Sequence, residues 1–164
     1  MEKAAQKLKQ AGLDCIVVRP FNHIGPGQDK GFILPDLYES LTEALKTKSP
    51  LLVGNLKTRR DYTDVRDVVR AYVLLATAMK ASLRQSLYNV CSGTPHSGEE
   101  ILHELQRNIP GSKNVKISID KSRIRPSDPI ELKGSNELLT TDTGWQPEIP
   151  FEQTIADFVA SKKS

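Results

Sequence analysis

Apolar positions along this chain recur with two periods, one near 3.6 and one near 2, and the two kinds of segment take turns. Over residues 2–11, Ala4, Ala5, Leu8 and Ala11 fall on one helical face, and Gly12 suits the left-handed end of such a helix. Residues 15–19 then read as a buried strand built around Ile16, Val17 and Val18. Further helices are predicted near 33–47, from Val65 to Ala81, over 98–107, near 135–143 and from Phe151 to Ser161. Strands are predicted at Leu51–Val53, Ser86–Cys91 and 115–119, and Arg60-Asp61-Tyr62-Thr63 reads as extended. Val68, Val69, Tyr72, Val73, Leu75 and Ala76 give the helix after Val65 a broad apolar face. Ser97 with Glu100 three residues on is the signature of a capping box. Strands alternating with helices predict an α/β fold.

The segment Arg19-Pro20-Phe21-Asn22-His23-Ile24-Gly25-Pro26-Gly27 follows the first strand. It places polar groups where a parallel sheet ends, the edge at which open α/β sheets bind ligands. Asn22 offers an uncharged donor and acceptor that suits a phosphate oxygen or a sugar hydroxyl, or it caps the turn. His23 is open between cofactor contact and support of the turn. Gly25-Pro26-Gly27 reads on its own as a tight turn. No Gly-x-Gly-x-x-Gly follows a strand near the N-terminus, and no Walker loop, zinc-ligand cluster or nucleophile elbow occurs. Arg59 and Arg60 are adjacent on an extended segment, so strand alternation sends them to opposite faces and only one meets a given cleft. Asp61 is placed to hold Arg60, and Asp64 or Asp67 to cap the helix that follows. Arg123-Ile124-Arg125-Pro126-Ser127-Asp128 is a second basic segment, either an exposed charged loop or an anion site.

A chain of 164 residues is long enough for one domain with a sizeable core. Its formal charge of +3 is mild, and the lysines near both ends lack interleaved aromatic residues, which argues for solvated helix faces and against nucleic acid. No apolar run approaches the roughly 18 residues of a membrane span. Cys15 and Cys91 lie far apart in predicted strands without metal-ligand spacing, which predicts buried, reduced thiols in a cytoplasmic protein.

Together these words resemble extended short-chain dehydrogenases/reductases acting on nucleotide sugars. The resemblance is strongest to GDP-4-keto-6-deoxymannose reductases and GDP-mannose 4,6-dehydratases, which carry Asn-His after the strand. It implies the C-terminal half of an NAD(P)-binding Rossmann-type fold plus a small α/β substrate-binding subdomain. Residues 1–164 would form a single partial domain, with the N-terminal cofactor-binding half absent. Arg60 matches the arginine of the family's Arg-Asp-(Tyr/Trp) word, which meets the sugar nucleotide's diphosphate; guanidinium suits it through its planar fork. Arg125 and Asp128 match an Arg-Pro-x-(Asp/Glu) loop, with the arginine at diphosphate or ribose and the acid on ribose hydroxyls. Asn22 and Asn55 join the implied substrate contacts. Pro20, Phe21 and His23 are the implied contacts for NAD or NADP. Gly54-Asn55-Leu56 and Phe32-Ile33-Leu34-Pro35 are implied to line the base pocket. Lys133-Gly134-Ser135 and Thr143-Gly144-Trp145-Gln146-Pro147 also fit, with Trp145 as packing.

The family's catalytic Tyr-x-x-x-Lys pair occurs nowhere in this chain, since Tyr38, Tyr62, Tyr72 and Tyr88 each lack a lysine four residues on. No catalytic residue and no metal is therefore expected, and the chain alone is expected to be inactive. Gly27-Gln28 stands where dehydratases tend to carry an arginine pair, which favours the reductase branch. The expected function is nucleotide-sugar binding within a GDP-4-keto-6-deoxyhexose reductase. A dehydratase, a 4-epimerase or a non-catalytic binding module are the alternatives. The expected partners are a nucleotide sugar, a GDP-sugar by preference, and either a second copy meeting the face of helix 2–11 or the missing N-terminal half.

Overall fold

The computed structural model describes residues 2–79, 82–124 and 128–163. Helix α1 (Glu2–Gln10) ends at Gly12, whose φ of 86° is the left-handed conformation glycine tolerates best. Strand β1 (Val17–Pro20) pairs in parallel with β5 (Leu87–Val90), Val17 beside Leu87 and Pro20 beside Val90. Between them in sequence lie β2 (Asn22–Ile24), α2 (Ile33–Thr47), β3 (Leu51–Val53), β4 (Arg59–Asp64) and α3 (Val65–Thr77). After β5 come β6 (Pro95–Ser97), α4 (Gly98–Asn108), β7 (Ile117–Ile119), β8 (Glu131–Leu132), α5 (Glu137–Thr143) and α6 (Phe151–Ser161).

Strand β4 is the centre of a second sheet. It pairs in parallel with β2 through Tyr62–Asp64, and Arg59–Asp61 pair antiparallel with β6. Arg59 and Arg60 also pair with β8. Because the same two residues pair with both β6 and β8, β8 occupies the edge opposite β6, which is the edge β2 takes further along. A third, two-stranded sheet joins β3 to β7.

Two apolar cores result. Leu34, Leu41, Leu51, Ile101, Leu105 and Phe158 anchor one, under α2, α4 and α6. Val68, Ala71, Leu75, Tyr88, Val90, Leu139 and Trp145 form the other, under α3 and α5. Strand β4 contributes Tyr62 to the first core and runs directly into α3, which belongs to the second. Along this spine Asp61, Asp64 and Asp67 are all buried carboxylates, spaced by three. Asp64 caps α3 by accepting from the Arg66 amide, and the Ser97–Glu100 capping box on α4 is complete. Trp145 is fully buried, with its indole N–H donated to the Asp67 carbonyl at 3.0 Å.

Several sequence expectations are corrected. Asn22 and His23 lie in a strand rather than a turn, because β4 offers that stretch a parallel ladder. Strands β6 and β8 are too short to carry an alternation signal. Helix α3 ends at Thr77, not Ala81: Ala78 is extended and Met79 is 79% exposed, so no core rewards another turn. The apolar face of α3 is narrower than predicted, with Val68, Ala71 and Leu75 inside and Val69, Tyr72 and Val73 outside. Cys15 is half-buried and precedes β1, whose pairing begins at Val17; Cys91 is buried just past β5.

Candidate functional site

Three stretches of chain meet around the first residues of β4. Arg59 and Arg60 point to opposite faces, as strand alternation requires. Arg59 is committed to protein: it donates to Glu100 at 3.1 Å and to the Pro95 carbonyl at 2.5 Å, and pairs with Glu131 at 3.3 Å. Among the described residues Arg60 donates only to backbone carbonyls, those of Arg59 at 2.8 Å and Pro129 at 2.9 Å. Among the described residues Arg60 has no carboxylate partner. Asp128 is exposed and adjoins the carbonyl that Arg60 holds. Arg125 lies outside the described residues.

A cavity of about 460 Å³ opens beside β3 and α4. Its walls include Val53, Leu56, Leu102 and Ile119, with Asn55, Lys57, Glu99, His103 and Gln106 among the polar groups. Ile124, from the basic segment, closes one side. Gly54 packs closely here: a Cβ would lie 3.0 Å from the Arg123 carbonyl oxygen. Asn55 lines the cavity, its Oδ1 accepting the Lys57 amide at 3.0 Å in a local turn. Asn55 and Arg60 are five residues apart, so at most about 18 Å separates their backbones. Phe32 to Pro35 do not line this cavity: Leu34 and Pro35 are buried and Phe32 is exposed.

The opposite border is the carboxyl end of β1 and β5. Pro20 is exposed at the end of β1, and the half-buried Phe21 donates its amide to Val90 at 2.9 Å. Asn22 is exposed beside Tyr62, two residues along β4 from Arg60. His23 is exposed, its Nδ1 3.3 Å from the Phe21 carbonyl. Asp61 does not hold Arg60. Its carboxylate accepts from the Ser92 amide (2.8 Å) and hydroxyl (2.7 Å), from the Gly93 amide (3.0 Å) and from the Gly134 amide (3.1 Å). Strand alternation is the reason, since it turns Asp61 to the face opposite Arg60.

Electrostatics follow from burial. Burial raises the Tyr62 phenol, partly countered by the positive charge of Arg60. Burial, reinforced by the negative charge of Asp61, pushes the Cys91 thiol up to about 12. At Glu100 burial acts upward, but hydrogen bonds from Ser97 and the charges of Arg59 and His96 outweigh it and hold the carboxyl below its ordinary range.

A profile of the GDP-mannose 4,6-dehydratase family matches residues 4–158. The chain belongs to that family. GDP-6-deoxy-D-mannose reductase of Pseudomonas aeruginosa is 33% identical over 93% of this chain and 49% of its own length. GDP-mannose 4,6 dehydratase 1 of Arabidopsis thaliana is 27% identical over 82% of this chain and 37% of its own length. The chain thus spans about half the length, or less, of these curated relatives. Among solved structures, RMD from P. aeruginosa complexed with NADPH superposes with a TM-score of 0.76 at 30% identity, covering 92% of this chain and 48% of that one. The UDP-glucose 4-epimerase of Thermus thermophilus, complexed with NAD, shares the fold, with a TM-score of 0.77 at 23% identity over 99% of this chain and 51% of that one. The architecture is accordingly that of extended, NAD(P)-binding short-chain dehydrogenases/reductases.

Within the family's frame, the structure brings Arg60, Asp128 and Asn22 to neighbouring strands and loops, and it puts Asn55 on the cavity wall. Sequence reasoning missed Glu99, His103 and Gln106. Their signal was present: with Leu102 they occupy positions i, i+3, i+4 and i+7 of α4, one stripe of the helix. Nothing in sequence said that this stripe faces the Gly54–Asn55 turn.

Proposed function

We propose that this chain binds a nucleotide sugar, a GDP-sugar by preference, as the substrate-binding part of an NAD(P)-dependent reductase of 4-keto-6-deoxyhexoses. The observation that carries this reading is Arg60, a half-buried residue held by two backbone carbonyls and by no described carboxylate, five residues along the chain from Asn55 on the wall of a cavity of about 460 Å³. In this reading the 460 Å³ cavity takes the base, with Asn55 at its wall. Arg60, and Arg125 by family pattern, clamp the diphosphate. Asp128 accepts from ribose hydroxyls, and Asn22 holds a phosphate or sugar oxygen at the strand end.

The cofactor edge fits the same reading. Pro20 and His23 are exposed at the carboxyl end of β1, leaving that border open to a planar ring. Pro20, Phe21 and His23 would hold the nicotinamide cofactor, which supplies hydride when bound. The residues of this chain bind and orient, and the absence of a Tyr-x-x-x-Lys pair leaves them without the family's proton donor. Residues 1–164 act here as one partial domain. The reductase reading rests further on Gly27-Gln28 in place of an arginine pair.

Calorimetric titration of the purified chain with GDP tests the proposal. A charge-assisted hydrogen bond contributes about 1.5–3 kcal/mol, so Arg60→Ala should weaken GDP by roughly 10- to 100-fold. Arg59→Ala should weaken it far less, because its guanidinium is spent on Glu100, Glu131 and Pro95. A chain that does not bind GDP, or one in which Arg59→Ala is the damaging change, would reject this reading.

A further inference from the structure

Asp61 is 1% exposed and, among the described residues, accepts four hydrogen bonds, none of them from a cation. An ionised carboxylate tolerates such burial only when its oxygens are filled by well-placed donors. The donors come from two places. Ser92 and Gly93 form the exit of β5, the strand beside β1, and Gly134 lies just past β8. The crossing at Gly134 is tight. A Cβ there would lie 2.6 Å from the Cys91 Sγ and 2.8 Å from the Phe21 Cζ. Gly134 therefore rests on the ends of both parallel strands, and the Asp61 carboxylate pins it there. Five residues upstream, Arg60 holds the same segment through the Pro129 carbonyl, and Arg59 pairs with Glu131 between them.

We propose that Asp61 is a positioning residue for nucleotide-sugar binding: it fixes the segment carrying Asp128 against the strand ends at Phe21 and Cys91, and so sets Asp128 relative to Arg60. This rests on the function proposed above. Asp67 provides the comparison. It is a buried carboxylate of the same spine, 2% exposed, but it pairs with Arg70 at 2.8 Å and fastens the amides of Glu148 and Ile149 rather than the segment carrying Asp128.

Asp61→Asn keeps the shape and turns an acceptor into a donor facing backbone N–H groups. Titration of the chain with GDP should show a dissociation constant raised about tenfold. Amide hydrogen exchange at Gly93 and Gly134 should accelerate while Tyr62–Asp64 stay protected. Asp67→Asn, compared at equal distance below its melting temperature, should leave the GDP constant within about twofold. Should Asp61→Asn fail to fold, Gly134→Ala moves the segment off Phe21 and Cys91 with Asp61 intact, and should weaken GDP at least as much. A folded Asp61→Asn with wild-type affinity overturns the proposal while leaving the proposed function standing. So does Asp67→Asn weakening GDP equally, or Gly134→Ala binding normally. A wild-type chain that fails to bind GDP overturns the function first and this role with it.

Discussion

The hydroxyl of Thr154 donates to the Asp64 carboxylate at 2.8 Å, a contact between residues 90 apart in sequence. Both residues are buried. The bond fixes the first turn of α6 to the junction where β4 becomes α3, and the same carboxylate caps α3 and pairs with Arg66 at 2.8 Å. Removing the donor leaves that Asp64 oxygen to Arg66 alone. Thr154→Val should therefore cost about 0.5–1.5 kcal/mol, the net value of one hydrogen bond, read as a lower urea midpoint at unchanged slope. Thr154→Ser should recover most of the loss. Equal midpoints for Thr154→Val and wild type would show that the bond adds nothing.

Acid should unfold this protein through its paired carboxylates. At Asp64 burial acts upward, but the hydrogen bonds from Arg66 and Thr154 outweigh it and hold the carboxyl below its ordinary value. Asp157 is held low as well, by Arg66 first and then Gln153. A carboxyl lowered in the folded state stabilises above its unfolded pKa, and that contribution disappears as pH falls through the folded value. The melting temperature should stay level from about pH 7 to about pH 5 and fall below about pH 4. Asp64→Asn should melt lower at neutral pH and show a flatter acid limb. An acid limb as steep as wild type in that variant would assign the effect to other groups.

The two thiols should react differently. Cys91 is buried with its thiol pushed up to about 12, while Cys15 is half-buried ahead of β1. Iodoacetamide at about pH 8 should alkylate Cys15 in the native protein and reach Cys91 only on unfolding, because the thiolate is the nucleophile. Mass mapping that finds native Cys91 modified first would contradict the packing of Gly134 over it.

Local order was legible in the sequence. Helix periodicity at Ile33–Thr47, the capping box at Ser97 and the left-handed glycine after α1 depend on neighbours three or four residues away, and all three stand as read. The family was legible too, because its words are short and keep their order along the chain. The alternation of Arg59 and Arg60 followed from strand geometry alone, and the structure gives each a different set of partners.

What tertiary structure decided were the pairings that close long loops. Asn22–Ile24 became a strand only because β4 lies beside it, and Pro95–Ser97 and Glu131–Leu132 are strands for the same reason. The partner of Asp61 could not be read from the adjacent arginine, since its donors lie 31, 32 and 73 residues away. The stripe of α4 that lines the cavity needed the Gly54–Asn55 turn opposite it before it meant anything. A side chain's direction is set by its own strand or helix, and so is written locally. Its partner is set by which distant segment packs there, and that depends on burying two cores at once.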